Sequence, residues 1–350
     1  MRTDKRLVAT YTVVHGTAEF LCAFTLFAWV RAWNSGSATI VTYSAVAFGF
    51  PLVVALLWLG VLRKVPEGRI GLAGTVLMAV GILVSHWAWA CVVLGLGSAL
   101  FHIAAGTSTL KQPRPGTSVG VFESLGAVGL ALGTILGNVW NVVPAVPWVY
   151  AGSALILVGG FAVLAWGTPA PAAVPEHSST QRNWTLSGTG WIPVAVLVGL
   201  ALVSVVRALA GFTAPQPWKV GNGVVLVAAC FVLLGRAVGG IIADKYGFVI
   251  PAIIGFTGAA VLLAAWPDSA NAGLFGTFFL ALPMAPVILA LLQSTGRPAV
   301  SFGLAQFLQV PAAFATGILW APWVVFATLM ICAVIMIFCA PLDGRTHVRT

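Results

Sequence analysis

The chain has 350 residues, 60% of them hydrophobic and only 7% charged, and its mean hydropathy is +1.02. A soluble domain carries about 25% charged residues, so this chain cannot cover its surface in water and is expected in lipid. Its net charge of +9 does not argue for a nucleic-acid partner, because cations also gather on the cytoplasmic loops of membrane proteins.

Lipid leaves no backbone polar group unsatisfied, which restricts spanning structure to helices or closed barrels. Barrel strands alternate apolar and polar residues over about ten positions. Here the apolar runs reach about twenty, the length of a spanning helix. The expected fold class is an all-α polytopic membrane protein. In chain order the pattern predicts spans over 7–30, 38–62, 69–84, 86–109, 116–138, 146–167, 190–213, 220–242, 249–266, 271–293, 299–319 and 321–340. The first run, beginning near Leu7, is too long for the core of a signal peptide and is read as the first span.

Lysine and arginine set the expected orientation. With a cytoplasmic N-terminus, fourteen of them, Arg236 included, fall on the inner side, and Arg31 and Lys219 fall outside. That asymmetry is the positive-inside pattern. It predicts cytoplasmic termini and an even number of spans, and it counts Arg207 as the one cation inside a span. Most tryptophans fall at predicted span ends, where indoles prefer to sit. The five cysteines lie in apolar segments without CxxC spacing, so they read as small buried hydrophobes.

Span 1 carries "TVVHGTAEF" (12–20). His15 and Glu19 stand four apart and share one helix face. Tyr11 and Phe20 flank that face and read as aromatic core. Span 4 carries His102, and span 5 carries Glu123 with a stripe of Gly129, Gly133 and Gly137. Such a stripe lets neighbouring helices pack closely. It is expected either as plain packing or as the sliding contact between two halves. Ionisable groups at mid-membrane cost about 2.5–3.5 kcal/mol each on insertion scales, so His15, Glu19, His102, Glu123 and Arg207 are functional candidates. Each has a structural alternative. His15 can bond a carbonyl, His102 can bond Glu123, and Glu19 can pair with Arg207.

After span 6 the chain changes character. "GTPAPAAVPEHSSTQRNW" (167–184) is polar and rich in Pro, Ala and Ser, a flexible connection. The expected organisation is a half over 1–167, a cytoplasmic linker over 168–189 and a second half over 190–350. "TVVHGTAEF" aligns weakly with "SVVRALAGF" (204–212), which sets His15 opposite Arg207. Parallel duplication of this kind recurs among transporters. In the second half, Asn222, Gln293, Gln306 and Gln309 are polar groups that can hydrogen-bond a solute or glue helices together. Pro283, Pro286 and Pro311 mark bends.

"GGIIADKYG" (239–247) follows span 8. With Gly240, Asp244, Lys245 and Gly247 in the key places, it resembles the loop signature of the major facilitator superfamily. The corresponding first-half loop, "GVLRKVPEGR", has Lys64 where that signature carries an aspartate. "GLGSALFHIAAG" (95–106) and "VFESLGAVGLALGTILG" (121–137) are similar to helices 4 and 5 of fosmidomycin-resistance-type drug exporters. His102 matches a family histidine there, and Glu123 stands where the family has glutamine. The superfamily resemblance implies two six-helix halves that rock about a central site lined by spans 1, 4, 7 and 10. It implies that Asp244 latches one conformation by pairing with a cation of the other half.

Together these point to a secondary transporter in a bacterial inner membrane. The expected solute is small, organic, and anionic or amphiphilic. His15, Glu19, His102, Arg207, Asn222, Gln293 and Gln309 would bind it, and Glu19 and Glu123 would carry the coupled proton. An uncoupled facilitator and a non-transporting receptor or scaffold remain open. The chain is expected to act as a monomer without cofactors. No phosphate-binding loop, catalytic triad or metal-ligand spacing is visible along the sequence, so neither an enzyme nor a metal site is expected.

Overall fold

The computed structural model describes residues 4–30, 37–62, 64–139, 146–166, 192–214, 216–315 and 318–343. Their regular secondary structure is all helical, with no strand among them. The linker expected over 168–189, Arg31 and Trp184 lie outside them.

The first described helix is α1 (Lys5–Thr25), continued by a π-helical turn Leu26–Val30. Asp4 caps it, its carboxylate accepting from the N–H groups of Arg6 and Leu7 at 3.0 and 3.1 Å. This satisfies donors that a helix start leaves orphaned. Then come α2 (Ser37–Leu59), α3 (Glu67–Leu83), α4 (Ala90–Leu110), α5 (Pro115–Val139) and α6 (Val146–Trp166). Next come α7 (Ile192–Thr213), α8 (Asn222–Tyr246) and α9 (Val249–Ala265). It continues with α10, broken into Ala270–Ala281 and Met284–Thr295, and α11, broken into Pro298–Phe307 and Val310–Phe314. It closes with α12 (Pro322–Phe338). The breaks fall at Pro283 and just before Pro311, where proline removes a donor and crowds the preceding turn. Pro51 sits inside α2 without ending it.

Seven of these helical stretches are long and apolar enough to cross a membrane, and three more are shorter apolar helices. Many large apolar side chains stay exposed on the outside of the bundle, among them Leu155, Phe161, Val198 and Phe338, as a lipid-facing surface requires.

Packing ties α1 to α5, α3 to α4 and α6, and α2 to α4, while α9 packs on α10 and α12. Two seams join the chain's early and late helices, α5 against α8 and α2 against α11. One end of the bundle carries both ends of the described chain. There the backbone N–H of Asp4 donates to Gln112 Oε1 at 3.0 Å, and Asp343 lies against Gly247. Gly247 closes α8 at φ 89°, a left-handed conformation that glycine adopts without strain.

At that end α5 and α8 touch backbone to backbone. A Cβ at Gly120 would meet the Arg236 carbonyl oxygen at 2.6 Å, and one at Gly240 would meet Gly116 and Gly120. The Asp244 carboxylate accepts from the N–H groups of Gly116 and Thr117 at 2.9 and 2.6 Å. It thus sits on the positive start of α5. The expected pairing of Asp244 with a cation is joined here by contacts to the start of a helix across the seam. The glycine stripe is reassigned. Gly129, Gly133 and Gly137 face the carbonyls of Gly16, Phe20 and Phe24 on α1, so they pack the α1–α5 seam. The glycines of the α5–α8 seam are Gly116, Gly120 and Gly240, and Gly303 meets Pro51, Leu52 and Ala55 across the α2–α11 seam.

Candidate functional site

The polar centre has two sides. On the first, α1 presents His15 and Glu19, and α4 presents His102. Both histidines are buried, and their Nε2 atoms lie 2.9 Å apart. The His15 ring stacks on Phe122 at 4.6 Å between centroids, and its Nδ1 lies 2.8 Å from the Phe122 carbonyl oxygen. His102 Nδ1 lies 2.8 Å from the Ser98 carbonyl oxygen, one turn back on its own helix. Glu19 Oε1 is 3.4 Å from His102 Nε2 and 3.9 Å from His15 Nε2. This approach depends on Gly126, where a Cβ would lie 2.5 Å from the His15 ring.

On the second side, α8 turns Arg236 toward α5. Its Nη1 donates to the Glu123 carbonyl oxygen at 2.7 Å and lies 3.5 Å from Glu123 Oε2. Gln306 Nε2 on α11 donates to Glu123 Oε1 at 3.2 Å, and Gln309 Nε2 donates to Gln306 Oε1 at 3.0 Å. Glu123 therefore joins three helices, α5, α8 and α11. Arg207 on α7 is 9% exposed. Its electrostatic neighbours are Arg236, Glu123 and Cys332. Among the described residues no carboxylate lies within ion-pair distance of its guanidinium. Arg236 Nε is likewise buried without a partner among them.

Several expectations change here. Arg207 does not pair with Glu19, because the histidines of α1 and α4 take that carboxylate and Glu123 is the acid in reach of α7. His102 bonds its own helix and His15 rather than Glu123. Arg236, counted as an inner-side cation, lies inside α8 and belongs to the centre. Its position eight residues before Asp244, within the predicted span, is the signal that could have found it. Asn222 is exposed as the first residue of α8, and Gln293 is exposed near the end of α10. Neither is brought to the centre. Tyr11 is fully buried and hydrogen-bonds Ser108 at 3.3 Å, so it is core. No metal-ligand spacing is legible along the chain, yet His15, Glu19 and His102 converge within 4.8 Å of one another. The set combines a pair on one helix turn with a residue 87 positions away from His15.

No protein-family model matches the sequence, and no curated protein matches it. Solved structures do. The E. coli fucose:proton symporter is similar at a TM-score of 0.65 and 13% identity, over 96% of this chain and 97% of that one. The human organic anion transporter TETRAN is similar at 0.63 and 14%, over 98% and 100%. A bacterial homologue of the iron transporter ferroportin, in an outward-facing state, is similar at 0.65 and 13%, over 97% and 100%. The resemblance to fosmidomycin-resistance-type exporters finds no support in these comparisons. Matches of this length at such low identity establish architecture: this chain has the fold of the major facilitator superfamily of membrane transporters.

Proposed function

We infer that the chain is a carrier and not an enzyme: a twelve-span secondary transporter that moves a small organic anion by alternating access, with protons as the coupling ion. The seams support two six-helix halves. Adding six to α2 and α5 gives α8 and α11, so the pairs α5–α8 and α2–α11 exchange under a two-fold axis between repeats. Placement of both described chain ends at one end of the bundle fits an even number of crossings. The cation asymmetry makes that end cytoplasmic, in a bacterial inner membrane. The seam of Gly116, Gly120, Gly240 and Asp244 closes it, which corresponds to an outward-facing carrier. One of the similar structures is described in that state.

The observation that carries the substrate class is Arg207, a buried guanidinium with no carboxylate among the described residues within ion-pair distance. An unpaired buried cation is costly, and arginine stays charged, so the site is built for an anionic group. Arg236 Nε, also without a partner among the described residues, is the second donor. Two of the similar structures are a proton symporter and an organic anion transporter, which agrees with this class. Glu123 supplies the coupling. In the empty carrier its carboxylate balances the arginines. A solute anion that takes their donors leaves Glu123 without its counter-charge, and the carboxylate then binds a proton. Solute and proton thereby travel together. Gln306 and Gln309 keep Glu123 oriented across the halves.

The test is a thermal-stability screen of the purified protein against small carboxylates, sulfonates and phosphate esters, with neutral analogues of each. At least one anion class should raise the unfolding temperature of wild type and fail to do so for Arg207→Ala. In proteoliposomes that anion should carry protons with it in wild type and not in Glu123→Gln. Equal shifts from the neutral analogues, or an Arg207→Ala variant that binds like wild type, would sink the anion reading.

A further inference from the structure

The pair of imidazoles on α1 and α4 poses a chemical question that solute binding does not answer. Each Nδ1 lies 2.8 Å from a backbone carbonyl oxygen, that of Phe122 for His15 and that of Ser98 for His102. A carbonyl can only accept, so these contacts assign the hydrogen to both Nδ1 atoms, and the Ser98 hydroxyl oxygen, 3.2 Å from His102 Nδ1, is a second acceptor for it. Both Nε2 atoms of the neutral rings then present lone pairs. Those lone pairs face each other at 2.9 Å. The Glu19 carboxylate brings a third base to the same place, 3.4 and 3.9 Å from the two nitrogens. One proton shared between the nitrogens would leave the carboxylate oxygen outside good hydrogen-bond distance of both. A cation at the common centre satisfies all three.

The dimensions identify which cation. Edges of 2.9, 3.4 and 3.9 Å make an acute triangle. Its circumradius, the product of the edges over four times the area, is about 2.0 Å, against Zn–N and Zn–O bonds of about 2.0–2.2 Å. We propose that His15, Glu19 and His102 form a binding site for a divalent transition metal of the Zn²⁺ class, with a fourth position open to an outside ligand. Two imidazoles and a carboxylate are a set that holds zinc in three-ligand sites. Mg²⁺ and Ca²⁺, which take oxygen ligands, do not suit it. The supporting shell is also built. Metal-binding histidines characteristically give their other N–H to a carbonyl or carboxylate, as both rings do here. The cluster is open on its Glu19 edge, where the side chain is 16% exposed while those of the histidines are 3% and 8%. The site lies on two helices of one half, and it does not rest on the transport reading.

The experiment measures binding directly on the full-length protein, purified without a polyhistidine tag and stripped with chelator. Zn²⁺ is titrated in competition with a chromophoric chelator, and Co²⁺ is titrated separately by its visible absorption. Wild type should take one ion per chain, with the intense cobalt bands of a four-coordinate site. His15→Ala, His102→Ala and Glu19→Gln should each weaken binding by at least about tenfold, and a change at the exposed His86 should leave it unchanged. The cobalt spectrum of wild type needs no variant to fold, and thermal melts of the metal-free variants check the rest. No binding to wild type, a spectrum of hydrated six-coordinate cobalt, or variants that bind like wild type would each overturn the proposal. Solute flux plays no part in this readout, so its failure and a failure of the transport reading are told apart.

Discussion

The two sides of the polar centre are opposite in chemical character. The α1/α4 side collects bases, two imidazole nitrogens and a carboxylate oxygen, converging with no hydrogen between them to spare. The α7/α8 side collects cations, Arg207 and Arg236, against the carboxylate of Glu123. Helix α5 stands between them and serves both through adjacent carbonyls. Phe122 accepts from His15, and Glu123 accepts from Arg236. The difference teaches that a buried polar cluster is specified by which groups lack partners, and not by how many groups it holds. Bases without a proton call for a cation, and guanidinium donors without an acceptor call for an anion.

The largest expected effect comes from Gly126→Leu, which attacks only one side. Its Cβ would meet the His15 ring at 2.5 Å, and overpacking of this kind costs about 1–3 kcal/mol. Metal binding should be lost while anion binding persists, as read by separate titrations. Loss of both would merge the two sides into one site. Arg207→Ala comes next and attacks the other side. A hydrogen bond to a charged group is worth about 1.5–3 kcal/mol, so anion affinity should fall by roughly 10–100-fold with Zn²⁺ affinity unchanged. Arg207→Lys should recover part of it, since lysine keeps the charge and loses the fork of donors.

Asp244→Asn should leave both ligands bound and act on the carrier's cycle. It weakens a cap across the α5–α8 seam, worth about 0.5–2 kcal/mol, so the closed end opens more readily and labelling of a cysteine placed at Thr117 from that end should speed up. Unchanged labelling would remove the latch. Lys111→Ala sets the lower bound. Its bridge to Glu67 lies at the rim, with Lys111 47% exposed, and bridges of that kind contribute about 0–1 kcal/mol. Thermal unfolding should barely move, and neither ligand should notice.

Much of this was legible in the chain. Low charge and apolar runs near twenty residues dictate lipid-facing helices, and the motif around Asp244 marks the seam it occupies. His15 and Glu19 announce themselves by sharing one helix face, and His102, Glu123 and Arg207 by lying at mid-span. The partnerships were not legible, because they depend on how helices from distant parts of the sequence are set in register. His15 meets His102 only because Gly126 lets the ring lie against α5. Arg236 looked like one more inner-side cation, since charge counting ignores how far a residue sits from its helix end. Asn222 and Gln293 fell out of the centre for the converse reason. A shift of a few residues in a span boundary decides whether a polar side chain is at the middle or the mouth.

The most direct test of the two-sided centre is a single cross of variants and ligands. Thermal unfolding is measured for wild type, His102→Ala and Arg207→Ala, each with Zn²⁺ alone and with the stabilising organic anion alone. Both ligands should raise the unfolding temperature of wild type. His102→Ala should lose the response to Zn²⁺ and keep the response to the anion, and Arg207→Ala should do the reverse. If one variant abolishes both responses while the metal-free, ligand-free protein melts as wild type does, the centre is a single site, and the assignment of opposite charges to its two sides is wrong.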